Sequence, residues 1–284
     1  MNNTTGKQVL LINDLPGYGK VALAAMVPLL SRMGHYTFQL PTAVVSNTLD
    51  YGKFRIQDLT DFMKDTLKVW DELGFDPDCI CTGFVLSIEQ VEVIRSYLEE
   101  RTPDKKRLVV VDPIMGDGGH LYNGIGPDRV DAMRQLVRLA DVMVPNMTEA
   151  GFLTGRGPGV ESGTSQEIRS LVDQLREISG RSVVITSATE ITETGASRHL
   201  VCGYDCTRQE YFQVPYEYLP VRVPGSGDIF SAVMTGELLE GKTLEASVEK
   251  AVRVLSKLIA ENQGHLQGYK GIQVEQYWEV IAEI

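Results

Sequence analysis

The strongest constraint on this chain is its alternation of short apolar runs with longer amphipathic ones. QVLLIN (8–13) reads as a buried strand, and VALAAMVPLLSRMG after it has helical periodicity. YTFQLPTAVVS (36–46) reads as extended, and IQDLTDFMKDTLKVWDEL places Ile56, Leu59, Phe62, Met63, Leu67 and Trp70 at helical spacing. DCICTGFV (78–85) is a further strand, and Ser87 with Gln90 three residues later has the pattern of a capped helix start. The same rhythm continues through RLVVVDPIM (107–115), the helix DRVDAMRQLVRLA, the strand DVMVPN (141–146) and a short helix from TEAGFLTG. SQEIRSLVDQLREISG is a helix closed by glycine, and SVVITS (182–187) is a strand. ASRHLVCGYD and RQEYFQVP read as paired, more polar edge strands. GDIFSAVMTGELLEG, LEASVEKAVRVLSKLIAENQ and the tail QVEQYWEVIAEI read as helices.

Repeated strand–helix units with apolar strands specify an α/β fold, with a mostly parallel sheet covered on both faces. GRGPGVESGTS (155–165) is turn-rich but lies between helices, and no linker, charge block or repeat divides the chain. One domain over residues 1–284 is therefore expected.

Net charge limits the partners. At −11 the chain does not suit a phosphate-backbone binder, so no nucleic-acid partner is expected. Small anionic substrates stay open, because local backbone amides can override the global field. MNNTTGKQVLLIN lacks a basic leader, and no apolar stretch is long enough for a membrane span, so a cytoplasmic location and no membrane partner are expected. Cys79, Cys81, Cys202 and Cys206 are too few for a disulfide framework, and the four histidines show no ligand spacing.

In an open parallel sheet, ligands bind beyond the carboxyl ends of the strands. Polar residues recur there: Asn13-Asp14, Ser46-Asn47, Asp112, Asn146 with Glu149, and Thr186-Ser187, with Gly83-Phe84 closing the third strand. A P-loop fails, because Asp14 and Val21 stand where it requires Gly and Ser or Thr. GYGKVA resembles a dinucleotide turn, but no acidic residue follows the second strand.

Three clusters remain, each with a plain reading beside a chemical one. In VPGSGDIFSA (223–232) the glycines and a helix start make an anion site, and Asp228 is either a dipole-friendly carboxylate or a proton acceptor. In DPIMGDGG (112–119), Asp112 and Asp117 either brace a turn or hold magnesium directly or through water. In N-M-T-E, Asn146 and Glu149 either cap a helix or face a hydrated cation. Their joint occurrence at successive strand ends favours chemistry.

N-x-x-E followed by G-[ST]-G-D is similar to the ribokinase-like (carbohydrate and vitamin kinase) superfamily. VVSNTLDYGKF (44–54), TGF (82–84) and VVDPIMGD (110–117) resemble the pyridoxal/pyridoxamine kinases. The resemblance spans residues 8 to 265 and implies a three-layer α/β/α sandwich. It implies ATP-dependent phosphorylation of the 5′-hydroxymethyl group of a vitamin B6 vitamer, in vitamin salvage. Asp228 would be the base, and the amides of Gly225, Ser226 and Gly227 an anion hole. Asp112, Asp117, Tyr122, Asn146, Glu149, Thr186 and Ser187 would meet ATP, with Asp112, Asp117, Asn146 and Glu149 also organising Mg2+, partly through water. Asn13 or Asp14, Val45, Ser46, Asn47 and Phe84 would surround the pyridine ring. A monovalent cation such as K+ and a homodimer are further implications.

The departures lie on the vitamin side. The common Ser-His-Val is Asn13-Asp14-Leu15 here, Leu49 replaces a ring-contacting threonine, and Phe84 replaces a tyrosine. Reaction type is thus better constrained than substrate. Hydroxymethylpyrimidine, sugar and nucleoside kinases of the same fold are the enzymatic alternatives, and a silent ligand-binding protein on this scaffold is the other. The retained Asp228 and Glu149 argue against the last.

Overall fold

Residues 6–101, 107–122, 125–262 and 270–283 are described by a computed structural model. In chain order the elements are β1 (Gln8–Pro16), α1 (Ala22–Arg32), β2 (Tyr36–Val45), β3 (Ile56–Asp58), α2 (Thr60–Glu72), β4 (Cys79–Thr82) and α3 (Ile88–Arg101). Then follow β5 (Leu108–Val111), β6 (Gly116–Asp117), β7 (His120–Leu121), α4 (Pro127–Val137), β8 (Val142–Met143) and α5 (Met147–Leu153). The remainder comprises β9 (Ser162–Gly163), α6 (Ser165–Ser179), β10 (Ser182–Ile191), β11 (Ser197–Asp205), β12 (Glu210–Pro215), α7 (Ser226–Leu239), α8 (Leu244–Asn262) and α9 (Trp278–Glu283).

These elements cluster into two units, one containing residues 6–86 and the chain from 219 onward, the other 109–218 with α3. In the first, β1 lies parallel to both β4 and β2, and β3 pairs antiparallel with β2. Val9, Leu10, Leu11 and Ile12 are fully buried, as a strand covered on both faces requires. Helix α1 packs on β1 and β2, α7 packs on α1, and α8 on α7. The centre of α7 is buried on all sides from Ile229 to Gly236, which explains its unbroken run of small and apolar residues.

In the second unit, β5, β8 and β10 run parallel, while β11 and β12 extend the sheet antiparallel at its edge. Helix α6 carries a full capping box, in which Thr164 accepts the Glu167 N–H, and it ends on Gly180 at φ 68°.

The strand–helix alternation matches the expectation, with local differences. Ile56 does not join the helical stripe: residues 56–58 pair with Ala43–Val45, and helix α2 starts only at Thr60. Asp58 terminates that strand by accepting the Thr60 N–H at 2.7 Å. The turn-rich segment after α5 contains the short strand β9, parallel to β10. The tail is helical only in part, a 3-10 turn at Val274–Gln276 preceding α9.

Candidate active site

The first unit gathers its chemistry where β1 meets the start of α7. Pairing between β1 and β2 slips by one residue after Asn13, so that Asn13 faces Pro41 but Leu15 faces Val44. Such an irregularity re-aims side chains at a strand end. Asn13 is only 1% exposed. Its Oδ1 accepts the N–H groups of Asp14 at 3.0 Å and Phe84 at 2.8 Å, and its Nδ2 donates to Asp228 Oδ1 at 3.0 Å. The other oxygen, Asp228 Oδ2, accepts the Ala22 N–H at 2.7 Å. Both oxygens of Asp228 are thereby fixed.

Asp228 owes its place to the glycine turn before α7. Gly225 caps the helix at φ 80°, and a Cβ there would stand 2.6 Å from the Lys20 carbonyl oxygen. The Ser226 N–H turns back to the Val223 carbonyl at 3.2 Å. At Gly227 a Cβ would meet nothing within 4 Å, so this turn of backbone borders open space. A helix N-terminus of this kind attracts negative charge.

Burial pushes the Asp228 carboxyl above the usual carboxylate range, against the two donated hydrogen bonds that favour its ionised form. Asp14 beside it is pushed up to about 7, first by burial and then by the Asp228 charge. Two carboxylates of raised affinity for protons therefore share this strand end.

The ring-side candidates divide. Phe84 is half-buried and joined to Asn13 through its N–H, while its carbonyl accepts the Thr42 hydroxyl at 2.8 Å. Val45 is buried, and its carbonyl accepts the Gly17 N–H. Ser46 and Asn47 build their own loop instead: the Ser46 hydroxyl bonds Asn47 Oδ1 at 2.7 Å and the Arg55 N–H at 2.9 Å. Asn47 Nδ2 donates to the carbonyls of Thr48 and Lys53.

The second unit holds the other cluster. Asn146 caps α5, its Oδ1 accepting the Glu149 N–H at 2.9 Å while Glu149 Oε2 accepts the Asn146 N–H at 2.9 Å. Glu149 Oε1 reaches the Met115 N–H at 2.9 Å, and Asn146 Nδ2 donates to the Gly116 carbonyl at 2.8 Å. The capping pair thus also clamps the loop after β5. The plain reading of N-M-T-E, a helix cap, is realised in full, and the same pair also holds this loop. Burial pushes Glu149 up to about 8, against the backbone donors, with the Asp117 charge adding to the rise.

Asp117 is exposed and accepts the Gly118 N–H at 2.9 Å in the hairpin between β6 and β7, while Asp112 is half-buried. Tyr122 is 39% exposed and ties its N–H to the Met115 carbonyl. Thr186 and Ser187 fall where pairing between β10 and β11 is interrupted, between Ile185 and Ala188. The Thr186 N–H goes to the Pro145 carbonyl at 3.1 Å, and Ser187 is exposed.

No group of three or more His, Cys, Asp or Glu side chains among the described residues is placed to hold a metal ion. Both oxygens of Glu149 already take backbone donors. This donor set fits a magnesium ion that keeps its waters and is touched through them, the usual habit of that ion.

Two contributors leave no signal in sequence, and the role of a third, Gly83, is visible only in the fold. The Ala22 donor is a backbone group and leaves no signature in residue type. Thr148, whose hydroxyl accepts the Gly119 N–H at 2.8 Å, lies inside N-M-T-E, but nothing in its residue type points to that bond. Gly83 was visible within TGF, and its necessity is steric: a Cβ there would stand 2.3 Å from Asn13 Nδ2.

The fold is shared with solved kinases. A pyridoxal kinase from Lactobacillus plantarum superposes with a TM-score of 0.86 at 29% identity, covering 98% of this chain and 97% of that one. A provisionally assigned phosphomethylpyrimidine kinase from Bacteroides thetaiotaomicron, solved with pyridoxal, gives 0.88 at 31% identity, covering 98% and 96%. In sequence, a pyridoxine/pyridoxal/pyridoxamine kinase from Bordetella avium is 30% identical over 252 residues, 86% of this chain and 81% of the relative. An α/β ribokinase-like fold and these likenesses define a kinase, a phosphotransferase acting on an alcohol. The chain belongs to the phosphomethylpyrimidine kinase family, which matches residues 25–273.

Proposed function

We propose that this kinase transfers the γ-phosphoryl group of ATP to the 5′-hydroxymethyl group of a vitamin B6 vitamer. The observation that carries the reading is Asp228, a carboxylate held at both oxygens by Asn13 and Ala22 at the head of α7. In this role it accepts the hydroxyl proton as the alcohol oxygen bonds to the γ-phosphorus, and the bond to the β-phosphate oxygen breaks to release ADP. The amides of Gly225 and Gly227 are assigned to the charge on the transferring group, Gly227 being exposed, while the Ser226 amide, expected beside them, is taken by the Val223 carbonyl and would have to leave it to join them. Asp14, Val45 and Phe84 are assigned to the vitamer side, and Asn13 to holding the base.

ATP supplies the phosphoryl group, and a bound Mg2+ would neutralise the charge on its phosphates. Asn146, Glu149, Asp117 and Asp112 are assigned to the hydrated ion, and Thr186, Ser187 and Tyr122 to the nucleotide. The names of the relatives from Bordetella avium and Lactobacillus plantarum support the vitamer, as does the pyridoxal bound to the Bacteroides protein. The same resemblance extends the proposal to a single kinase domain working as a homodimer in the cytoplasm, with K+ as a candidate monovalent ion.

Hydroxymethylpyrimidine is the second substrate to consider, favoured by the family match and by a hydroxymethylpyrimidine/phosphomethylpyrimidine kinase from Staphylococcus aureus, 30% identical over 189 residues. ADP release measured with pyridoxal, pyridoxine, pyridoxamine and hydroxymethylpyrimidine in parallel decides between them. The vitamers are expected to give the higher kcat/KM. Turnover of hydroxymethylpyrimidine alone would replace the reading.

A further inference from the structure

Asn13 stands at an unusual junction. Its side-chain oxygen is committed to two backbone N–H groups, those of Asp14 and Phe84. That commitment fixes which end of the amide is which, because an amide nitrogen in the same place would confront two donors. Nδ2 therefore has to face the other way, and there it meets Asp228 Oδ1 at 3.0 Å. The thioether of Met26, 3.5 Å from the same nitrogen, is its second and weaker neighbour.

The space for this amide comes from Gly83. A Cβ on that residue would lie 2.3 Å from Asn13 Nδ2, 2.5 Å from Cγ and 2.7 Å from Oδ1, well inside van der Waals contact. Gly83 lacks the positive φ that would by itself demand glycine. Its N–H is held by the Ile12 carbonyl at 2.8 Å, so the backbone is anchored and an added methyl would have to displace Asn13. The glycine of TGF thus has a reason that its local conformation does not supply.

We propose that Asn13 is a positioning residue for Asp228, and that Gly83 is glycine in order to leave room for it. Asn13 sets the direction of the carboxylate and holds it in its ionised form. The proposal rests on Asp228 being the base of the reaction above, but its own signature is local. Removing a donor from a half-buried carboxylate raises its affinity for protons. The charged group that acts on this pair is Asp14 at the end of β1, whose own proton affinity is raised by the Asp228 charge; on the elements packed around it, Lys20 before α1 is paired with Glu275 and Lys250 of α8 with Glu237 of α7.

The test uses two variants of the full chain. Asn13→Leu removes the donor at nearly constant volume, and Gly83→Ala leaves Asn13 chemically intact while crowding it out. Each is followed by carbon-13 NMR titration of aspartate carboxylates, with the Asp228 resonance assigned by its loss in Asp228→Asn, and by the pH profile of kcat. Both variants are expected to raise the Asp228 pKa and the acid limb of kcat by about one pH unit. They are also expected to lower kcat at least about tenfold while KM for ATP stays within about twofold. Should Asn13→Leu fold poorly, Gly83→Ala carries the same expectation alone. An Asp228 pKa within about 0.3 of the parent in the folded variant would overturn the proposal, whether or not kcat falls. If the parent phosphorylates none of the alcohols, the reading of the function fails while the NMR titration still decides the role of Asn13.

Discussion

Ala22 donates its backbone N–H to Asp228 Oδ2 at 2.7 Å, and it does so from a φ of 49°. Only one other non-glycine residue among those described, Gln209, has a positive φ. A left-handed alanine costs about 1–2 kcal/mol, and here that cost is met at the first residue of a helix whose N–H is aimed at a carboxylate. The strain and the hydrogen bond belong to the same local arrangement.

Ala22→Gly removes the steric cost without removing the donor. The variant is expected to unfold at an equal or higher urea concentration than the parent and to keep kcat within about threefold. Ala22→Val puts a β-branched side chain at the same φ and is expected to lose about 1–3 kcal/mol of stability. Urea unfolding of the two variants measures both outcomes, and equal stabilities would remove the strain from the account.

Asp228→Asn keeps the shape of the side chain but not its ability to take a proton. Turnover is expected to fall at least about a hundredfold, with nucleotide binding by calorimetry changed less than about threefold. Near-normal turnover would take Asp228 out of the base role.

The pH dependence of stability follows from the direction of the shifts. Asp14 is raised from 3.8 to about 7 in the fold, so the folded state binds its proton more tightly than the unfolded chain does. Its contribution is fully present below about pH 4 and is lost as pH rises through 7. Asp14→Asn, which cannot lose a proton, is expected to equal the parent near pH 4 and to exceed it by at least about 1 kcal/mol at pH 8. Chemical denaturation across that range reads the gap, and a constant difference at all pH values would contradict the raised affinity.

Asn146→Ala strips the cap from α5 and also releases the Gly116 carbonyl. A loss of about 1–2 kcal/mol is expected, together with a weaker hold on the loop after β5. Hydrogen exchange at Met115 and Gly116 should rise in the variant, and unchanged protection there would show that the clamp is not Asn146.

Much of this was legible in the residues. The alternation of apolar and amphipathic runs gave the α/β fold, because strands covered on both faces leave no other pattern. The clusters at Asn146–Glu149 and Gly225–Asp228 were legible because caps and glycine turns are local chemistry. Ile56 sits at helical spacing yet belongs to a strand, because its apolar spacing also suits an edge strand and only pairing with Val45 distinguishes the two. Asn13 or Asp14 was expected on the ring side, and the structure joins Asn13 to Asp228, 215 residues further along. No local pattern encodes a contact of that range. The Ala22 donor is likewise invisible, since every alanine carries the same N–H.

The most direct measurement is the product itself. The full chain is incubated with ATP, Mg2+ and pyridoxal, and the product is examined by phosphorus-31 NMR with proton coupling. The expected result is a phosphomonoester coupled to the two protons of the 5′ methylene, formed in equal amount with ADP and abolished in Asp228→Asn. Inorganic phosphate alone, or no phosphorylated vitamer while hydroxymethylpyrimidine is phosphorylated under the same conditions, would contradict the account.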